Sequence, residues 1–373
     1  MQGRTDIVVS ANSRWNLANF RAGLIEALSR EGLRVTALAP ADQDRVELRC
    51  AAEEIAIDRS GVNPVTDLAT LWTYYRSFRR LRPVAYLSYT IKPNIYGAIA
   101  ARWAGVASIP NVSGLGTAFI DDGLFARFVG RLYRVAFRKS PVVFFQNEDD
   151  RALFVGRNIV RAGQARLLPG SGIDLDHFRP GPERVDGAPT FLLIARLLGD
   201  KGVREFAEAA RMLKSELPRA RFQLLGPIDD GNRTAIQREE IERWSDEGVV
   251  EYLGASDDVR PFVRDANAIV LPSYREGLPR TLLEGAAMAR PLVATDVPGC
   301  REIAIDGVTG LLCAPRSASS LASAMRRMAA LPAERREAMG RAGRELVERK
   351  FSETRVIQIY LDALQQVCGA KGA

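Results

Sequence analysis

Short apolar runs of four to six residues alternate with helical patterns along the whole chain, and the alternation breaks once and restarts. In the first half, residues 7–10, 35–39, 84–88, 108–112 and 142–145 read as strands, with helical patterns over 19–31, 94–104 and 124–138. Strands that are apolar without alternation must be buried on both faces, so the pattern calls for a parallel sheet covered by helices. The break is loop-rich, from Leu168-Pro169-Gly170-Ser171-Gly172 to Gly187-Ala188-Pro189. After it, strands are expected at 190–195, 222–226, 249–253, 268–271 and 292–295, and helices at 202–214, 281–289 and 317–330. The 373 residues suit two domains. The expectation is an α/β chain of two tandem doubly wound, Rossmann-like domains, the first over 1–182 and the second over 187–351. The segment 352–373 holds a last helix, expected to pack back on the first domain. Such domains bind ligands beyond the carboxyl ends of their strands, here expected in the cleft between the two.

No run of 18 apolar residues occurs, which excludes a hydrophobic spanning helix. The first forty residues lack a basic-then-apolar signal pattern. Cys50, Cys300, Cys313 and Cys368 lie far apart, without metal-ligand spacing, which suggests a reducing compartment and no disulfide framework. A cytoplasmic protein is expected. The single histidine, His177, argues against a histidine-rich metal site. The net charge is +7, and residues 68–139 hold eleven basic residues against two acids, Asp121 and Asp122. A phosphate-rich substrate, an anionic membrane or a nucleic acid would suit that excess.

The most specific stretch is Leu271-Pro272-Ser273-Tyr274-Arg275-Glu276-Gly277-Leu278-Pro279-Arg280-Thr281-Leu282-Leu283-Glu284. A buried strand ends at Pro272, a loop carries Glu276, and a helix opens near Pro279, a residue tolerated in a first turn. The N–H groups of Gly277, Leu278, Arg280 and Thr281 then face the strand ends, where a helix start binds an anion or orients a polar ligand. Glu276 precedes the helix and Glu284 lies a turn or more inside it, so both can accept hydroxyl hydrogen bonds from one sugar-bearing ligand.

This stretch resembles the Glu-x7-Glu signature of the family-4 retaining glycosyltransferases of the GT-B fold. Arg196-Leu197-Leu198-Gly199-Asp200-Lys201-Gly202 resembles their Arg…Lys-Gly pair, and Gly172-Ile173-Asp174-Leu175-Asp176-His177-Phe178-Arg179-Pro180 their interdomain linker. Asp296-Val297-Pro298-Gly299-Cys300-Arg301-Glu302 and Gly307-Val308-Thr309-Gly310 match their closing segments. The resemblance implies that Arg196 and Lys201 hold the diphosphate of a nucleotide-sugar donor, where negative charge grows as the glycosidic bond breaks. It implies that Glu276 contacts hydroxyls of the donor sugar and Glu284 the ribose, with Gly226, Tyr252 and Leu253 framing the base. Arg196, Lys201 and Glu276 are thus the catalytic candidates. Asp174-Leu175-Asp176 spells the metal-binding triplet of another glycosyltransferase fold, but its linker position favours a structural role. His177 is expected to pack, and neither a metal nor a cofactor is expected.

The first strand-to-helix loop, Ser10-Ala11-Asn12-Ser13-Arg14-Trp15-Asn16, lacks the family's common glycine pair. With Asn19 and Arg21, and with the segments 89–97 and 111–119, it resembles a bacterial subgroup that elongates glycans on a polyprenyl diphosphate, often from UDP donors of N-acetylhexosamines. Asn12, Ser13, Lys92, Ser113, Gly114 and Thr117 are the acceptor-side candidates, although plain loop structure explains each equally well. Arg127, Arg131, Arg134 and Arg138 recur along one predicted helix among Phe125, Phe128, Leu132 and Val135, and Trp72, Tyr75 and Phe78 interleave with Arg76, Arg79 and Arg80. Such faces suit peripheral binding to an anionic membrane surface, the inner face of the cytoplasmic membrane. The alternative is a core-packed helix with a solvated basic face. Nucleic acid is disfavoured, since no binding module accompanies the charge. The expected function is a metal-independent retaining transfer of a hexose or N-acetylhexosamine from a nucleotide-diphosphate sugar, UDP favoured, to a lipid-linked glycan acceptor in surface-polysaccharide assembly. A UDP-sugar epimerase of similar fold and a non-catalytic nucleotide-sugar-binding protein stay open as alternatives.

Overall fold

The computed structural model describes residues 6–41, 46–57, 63–115, 119, 123–181, 187–229, 231–232 and 234–369. Thr117, Asp121, Asp122 and residues 182–186 lie outside the described residues. The chain divides into two compact units, one of Met1–Ser171 with Glu353–Ala373, the other of Gly172–Ser352.

The first unit holds β1 (Asp6–Ser10), α1 (Arg14–Arg30), β2 (Arg34–Ala39), β3 (Ala51–Glu54), α2 (Pro64–Leu81), β4 (Ala85–Tyr89), α3 (Ala98–Trp103), β5 (Ala107–Val112), α4 (Leu124–Phe137), β6 (Val143–Phe145), α5 (Glu148–Gly156) and β7 (Ala165–Leu167). Its sheet runs β3-β2-β1-β4-β5-β6-β7, all parallel. Successive strand residues serve opposite faces, as the pleat requires. Ile7, Val9 and Phe144 pack under α1 and the last helix, whereas Val8, Tyr86 and Phe145 pack under α2, α3 and α4.

The second unit holds β8 (Thr190–Ile194), α6 (Val203–Lys214), β9 (Arg221–Leu225), α7 (Arg238–Asp246), β10 (Glu251–Tyr252), α8 (Arg260–Asp265), β11 (Ala268–Leu271), α9 (Arg280–Ala287), β12 (Leu292–Thr295), β13 (Gly310–Cys313), α10 (Ala318–Ala330) and α11 (Ala333–Lys350). The strand order is β10-β9-β8-β11-β12-β13, again parallel. Each sheet therefore reverses winding once, at β1/β4 and at β8/β11, the place where open parallel sheets bind ligands.

The last helix, α12 (Glu353–Gly369), belongs to the first unit. Val356, Tyr360 and Leu364 fill the same core as Ile7 and Phe144. The segment that reads as a linker does not act as one along its whole length: Gly172–Pro180 belongs to the second unit. Ile173 and Phe178 are buried there with Leu271 and Phe351, and the Ile173 N–H donates to the Phe351 carbonyl at 2.9 Å. Two apolar side chains among glycines and aspartates suffice to dock it.

Candidate active site

In the second unit the loops after β8 and β11 meet at the winding reversal. After β8 the chain makes a 3-10 turn, Gly199–Lys201, and Gly202 starts α6 at φ 72°. A Cβ on Gly202 would stand 2.2 Å from the Pro272 carbonyl, so only glycine lets α6 begin against the end of β11. That approach brings Lys201 Nζ to 2.5 Å from Glu276 Oε1, and Ser273 Oγ donates to the same oxygen at 2.7 Å. Both charged side chains are largely enclosed.

The α9 helix begins at Arg280, with Pro279 as its extended N-cap rather than a first-turn residue. Gly277 and Leu278 lie in the loop just before it, and Thr281 Oγ1 ties its first turn to the Ile194 carbonyl at 2.9 Å. Glu284 is buried and accepts from Arg280 Nε at 2.8 Å. Burial pushes its carboxyl above the usual range, and the Arg280 guanidinium opposes the rise. On the other side of β8, Gly226 approaches so closely that a Cβ would stand 1.8 Å from the Ala195 carbonyl. Tyr252 Oη donates to the Gly226 carbonyl at 3.1 Å, and the Leu253 N–H donates to Leu224. Arg196 is more exposed and pairs with Asp229 at 2.9 Å. Arg196, Lys201, Glu276, Glu284, Gly226 and Tyr252 thus all gather around the carboxyl ends of β8, β9, β10 and β11.

Three partners escaped the sequence reading. Asp229 holds Arg196, Tyr274 Oη donates to Glu205 of α6 at 2.6 Å, and the Arg316 guanidinium lies 4.8 Å from the Tyr274 ring centre. Burial, followed by the Glu205 carboxylate, pushes the Tyr274 phenol up to about 12, so it stays a donor. Two other residues of the second unit have local roles. Asp174 Oδ1 accepts the N–H groups of Asp176 and His177, closing a turn. His177 is exposed rather than packed, its ring edge-on to Phe178, because the turn directs Phe178 inward instead.

In the first unit the equivalent reversal gathers the loops after β1 and β4. The Asn12 N–H donates to Thr90 Oγ1 at 3.2 Å, and Ser13 caps α1 by accepting from Asn16. Lys92 pairs with Asp67 at 2.7 Å, and Tyr96 Oη donates to the other Asp67 oxygen at 2.7 Å. Ser113 and Gly114 follow β5, with Gly114 at φ 132°. Thr117 lies outside the described residues.

The helix layer over this sheet carries an unusual surface. Trp72 on α2, Trp103 on α3, and Leu124, Phe125, Phe128 and Val135 on α4 are all exposed. α3 joins its neighbours: the Tyr75 and Trp103 rings lie 6.4 Å apart, and Arg102 donates to the Val135 carbonyl at 2.7 Å. Arg127, Arg131 and Arg138 are exposed beside these apolar groups. Phe78, by contrast, is core, and Arg134 is spent on the carbonyls of Arg157 and Asn158, at 2.7 and 2.9 Å. Helix phase explains both: Tyr74 and Phe78 share the inward face of α2, and Arg134 overlies the end of α5.

Comparison with known proteins agrees with the two-domain fold. The family model described as "Glycosyl transferases group 1" matches residues 188–330, and "Glycosyl transferase 4-like domain" matches 17–170. The chain is 30% identical over 326 residues to the N,N'-diacetylbacillosaminyl-diphospho-undecaprenol alpha-1,3-N-acetylgalactosaminyltransferase of Campylobacter jejuni, covering 82% of this chain and 84% of the relative. Sucrose-phosphate synthase from Thermosynechococcus elongatus superposes with a TM-score of 0.83 at 21% identity, covering 98% of this chain and 100% of that one. Anabaena Alr3699/HepE, solved with UDP and glucose, superposes at 0.79 with 18% identity over 96% and 99% of the two chains.

Proposed function

The chain belongs to the glycosyltransferase family whose group 1 and 4-like models match its two halves, with two Rossmann-like parallel-sheet domains in the GT-B manner, and from that premise we propose a retaining transfer of a sugar from a UDP-sugar to a polyprenyl-diphosphate-linked glycan. The observation that carries the reading is the Lys201–Glu276 pair at the winding reversal, one helix start away from the buried Glu284. An ammonium, a second cation at Arg196 and the N-terminus of α9 suit a diphosphate, and two carboxylates suit the hydroxyls of a sugar and a ribose. The relative's name supplies the likeness for an N-acetylhexosamine donor and a lipid-linked acceptor.

In this reading the acceptor hydroxyl attacks C1 of the donor sugar on the face from which the diphosphate departs. The bond from C1 to the diphosphate oxygen breaks, the new C1–O bond forms, and the hydroxyl proton passes to an oxygen of the leaving diphosphate. Lys201 and Arg196 stabilise the charge that develops there. No metal takes part. The first unit receives the acceptor, and the exposed Trp72, Phe125 and Phe128 with Arg127 and Arg131 rest peripherally on an anionic membrane, at the inner face of the cytoplasmic membrane. Among the described residues no helix is long and apolar enough to cross a membrane.

The test offers a panel of UDP- and GDP-sugars with and without a polyprenyl-diphosphate-linked glycan, in EDTA and in Mn²⁺. Transfer that needs the acceptor, ignores EDTA and yields the donor's own anomeric configuration is expected. An isomerised donor without acceptor would make the chain an epimerase. Tight nucleotide binding without turnover would make it a binding protein, and loss of activity in EDTA with rescue by Mn²⁺ would end the metal-free mechanism.

A further inference from the structure

Four fully buried polar side chains run in line beneath the carboxyl edge of the first sheet. Ser88 Oγ donates to Asn94 Oδ1 at 2.8 Å, Asn94 Nδ2 donates to the Asn111 carbonyl at 2.8 Å, and Asn111 Nδ2 donates to Tyr360 Oη at 3.0 Å. They come from β4, the turn after it, β5 and α12, and Tyr360 lies 249 positions beyond Asn111. Edge-on contacts with Phe144, at 5.1 Å, and Tyr89, at 6.4 Å, fix the Tyr360 ring.

Replacing the Asn111–Tyr360 side-chain pair by apolar groups of the same shape can be nearly neutral for stability. A connected buried polar chain instead selects one geometry. Here it borders two loops. The loop after β4 holds Thr90 at φ 68° and a π-helical turn, Pro93–Gly97, both costly conformations that concentrate at functional sites. Tyr86 Oη secures that turn further by donating to the Pro93 carbonyl at 3.1 Å. The loop after β5 carries Ser113 and Gly114 directly beyond Asn111.

We propose that Tyr360 is a positioning residue for the acceptor: through Asn111 and Asn94 it sets the spacing of the loops 90–97 and 112–115 on which the glycan acceptor is seated. The proposal rests on the acceptor role given above to the first unit. Tyr360 touches no substrate. Its hydroxyl is the acceptor that keeps the Asn111 amide turned toward α12, so a helix that follows the whole second unit in sequence governs acceptor affinity and leaves the donor site alone.

The test is Tyr360→Phe in the full chain, which keeps the ring and its packing and removes only the hydroxyl. Hydrogen exchange at the amides of 94–97 and 112–115 is expected to quicken about tenfold, the order of one buried hydrogen bond, with the amides of β8 and β11 unchanged. The KM for a polyprenyl-diphosphate-linked glycan is expected to rise by a similar factor, with kcat and UDP affinity within twofold of wild type. Asn94→Ala, which breaks the chain at its other link, is expected to give the same split. Unchanged exchange in both variants overturns the positioning role. A joint fall of acceptor affinity, UDP affinity and melting temperature also overturns it, in favour of a general structural contribution. Faster exchange with an unchanged acceptor KM would retain the brace but remove the acceptor from these loops, and so count against the acceptor reading itself.

Discussion

Lys201 and Glu276 pair across 2.5 Å, so in the proposed donor site a diphosphate would have to draw the lysine from the carboxylate. On the proposed reading that exchange would free Glu276 to accept hydroxyls of the donor sugar. Lys201→Ala is expected to fold and to lose two to three orders of magnitude in turnover, about 2.7–4 kcal/mol of barrier, the range for one preorganised group at a developing charge. Near-normal rates would remove it from the site. Glu276→Gln should bind free UDP as well as wild type or better, because the lysine has lost its competitor, while turnover falls; calorimetry beside kinetics separates the two. At Glu284 the sign of a pH effect follows from burial. Its carboxyl already titrates above the ordinary value, so the unfolded chain releases this proton more readily than the folded one. Arg280→Met removes the cation that restrains the shift. The resulting instability is expected to be absent below the unfolded carboxyl's range and to grow as pH rises through the folded value. Melting curves at pH 4 and pH 8 should therefore diverge from wild type more at the higher pH. Free-nucleotide affinity should weaken in Glu284→Ala.

At the scale of elements, α4 presents arginines and bare aromatics on one outward face, the face of the proposed contact with lipid headgroups. Reversing Arg127, Arg131 and Arg138 to Glu should cut sedimentation with anionic vesicles about a hundredfold or more, at roughly 1 kcal/mol for each basic residue lost. Wild-type binding should weaken with salt, and UDP affinity should not change. Full sedimentation of the variant would leave the face merely solvated. Arg134 is a poor choice for that experiment, since its guanidinium already serves two carbonyls. The sequence disclosed α4 because its charges recur at helical spacing, and disclosed the central strands because their apolar runs are continuous. It hid β3 and β7. The first, Ala51–Glu54, is an edge strand with no buried face, and the second has three residues. That Arg196, Lys201, Glu276 and Glu284 lie near one another at the strand ends followed from their resemblance to a family motif. Asp229, Glu205 and Arg316 were not legible, because their partners lie 33, 69 and 42 positions away and meet only once the strand order is known.

Across the whole molecule, the proposed donor and acceptor roles fall on separate units. UDP should protect amides around 196–202, 224–226, 252–254 and 276–284 from hydrogen exchange and leave the first sheet unaffected, whereas anionic vesicles should protect α2, α3 and α4 alone; protection of both units by UDP would contradict the assignment of the donor to Gly172–Ser352. The discontinuity of the first unit also has a meaning in time. Tyr360, Val356 and Leu364 complete a core that Ile7 and Val9 begin. On a ribosome adding about 5–20 residues per second, the sheet emerges and then waits while the roughly 180 residues of the second unit are made, some 10–35 s. During that interval the apolar face meant for α12 has no cover. Synthesis thus leaves the earlier-born unit to mature last, and a nascent chain stalled before residue 353 should recruit holdase chaperones to its N-terminal portion while its second unit already binds nucleotide.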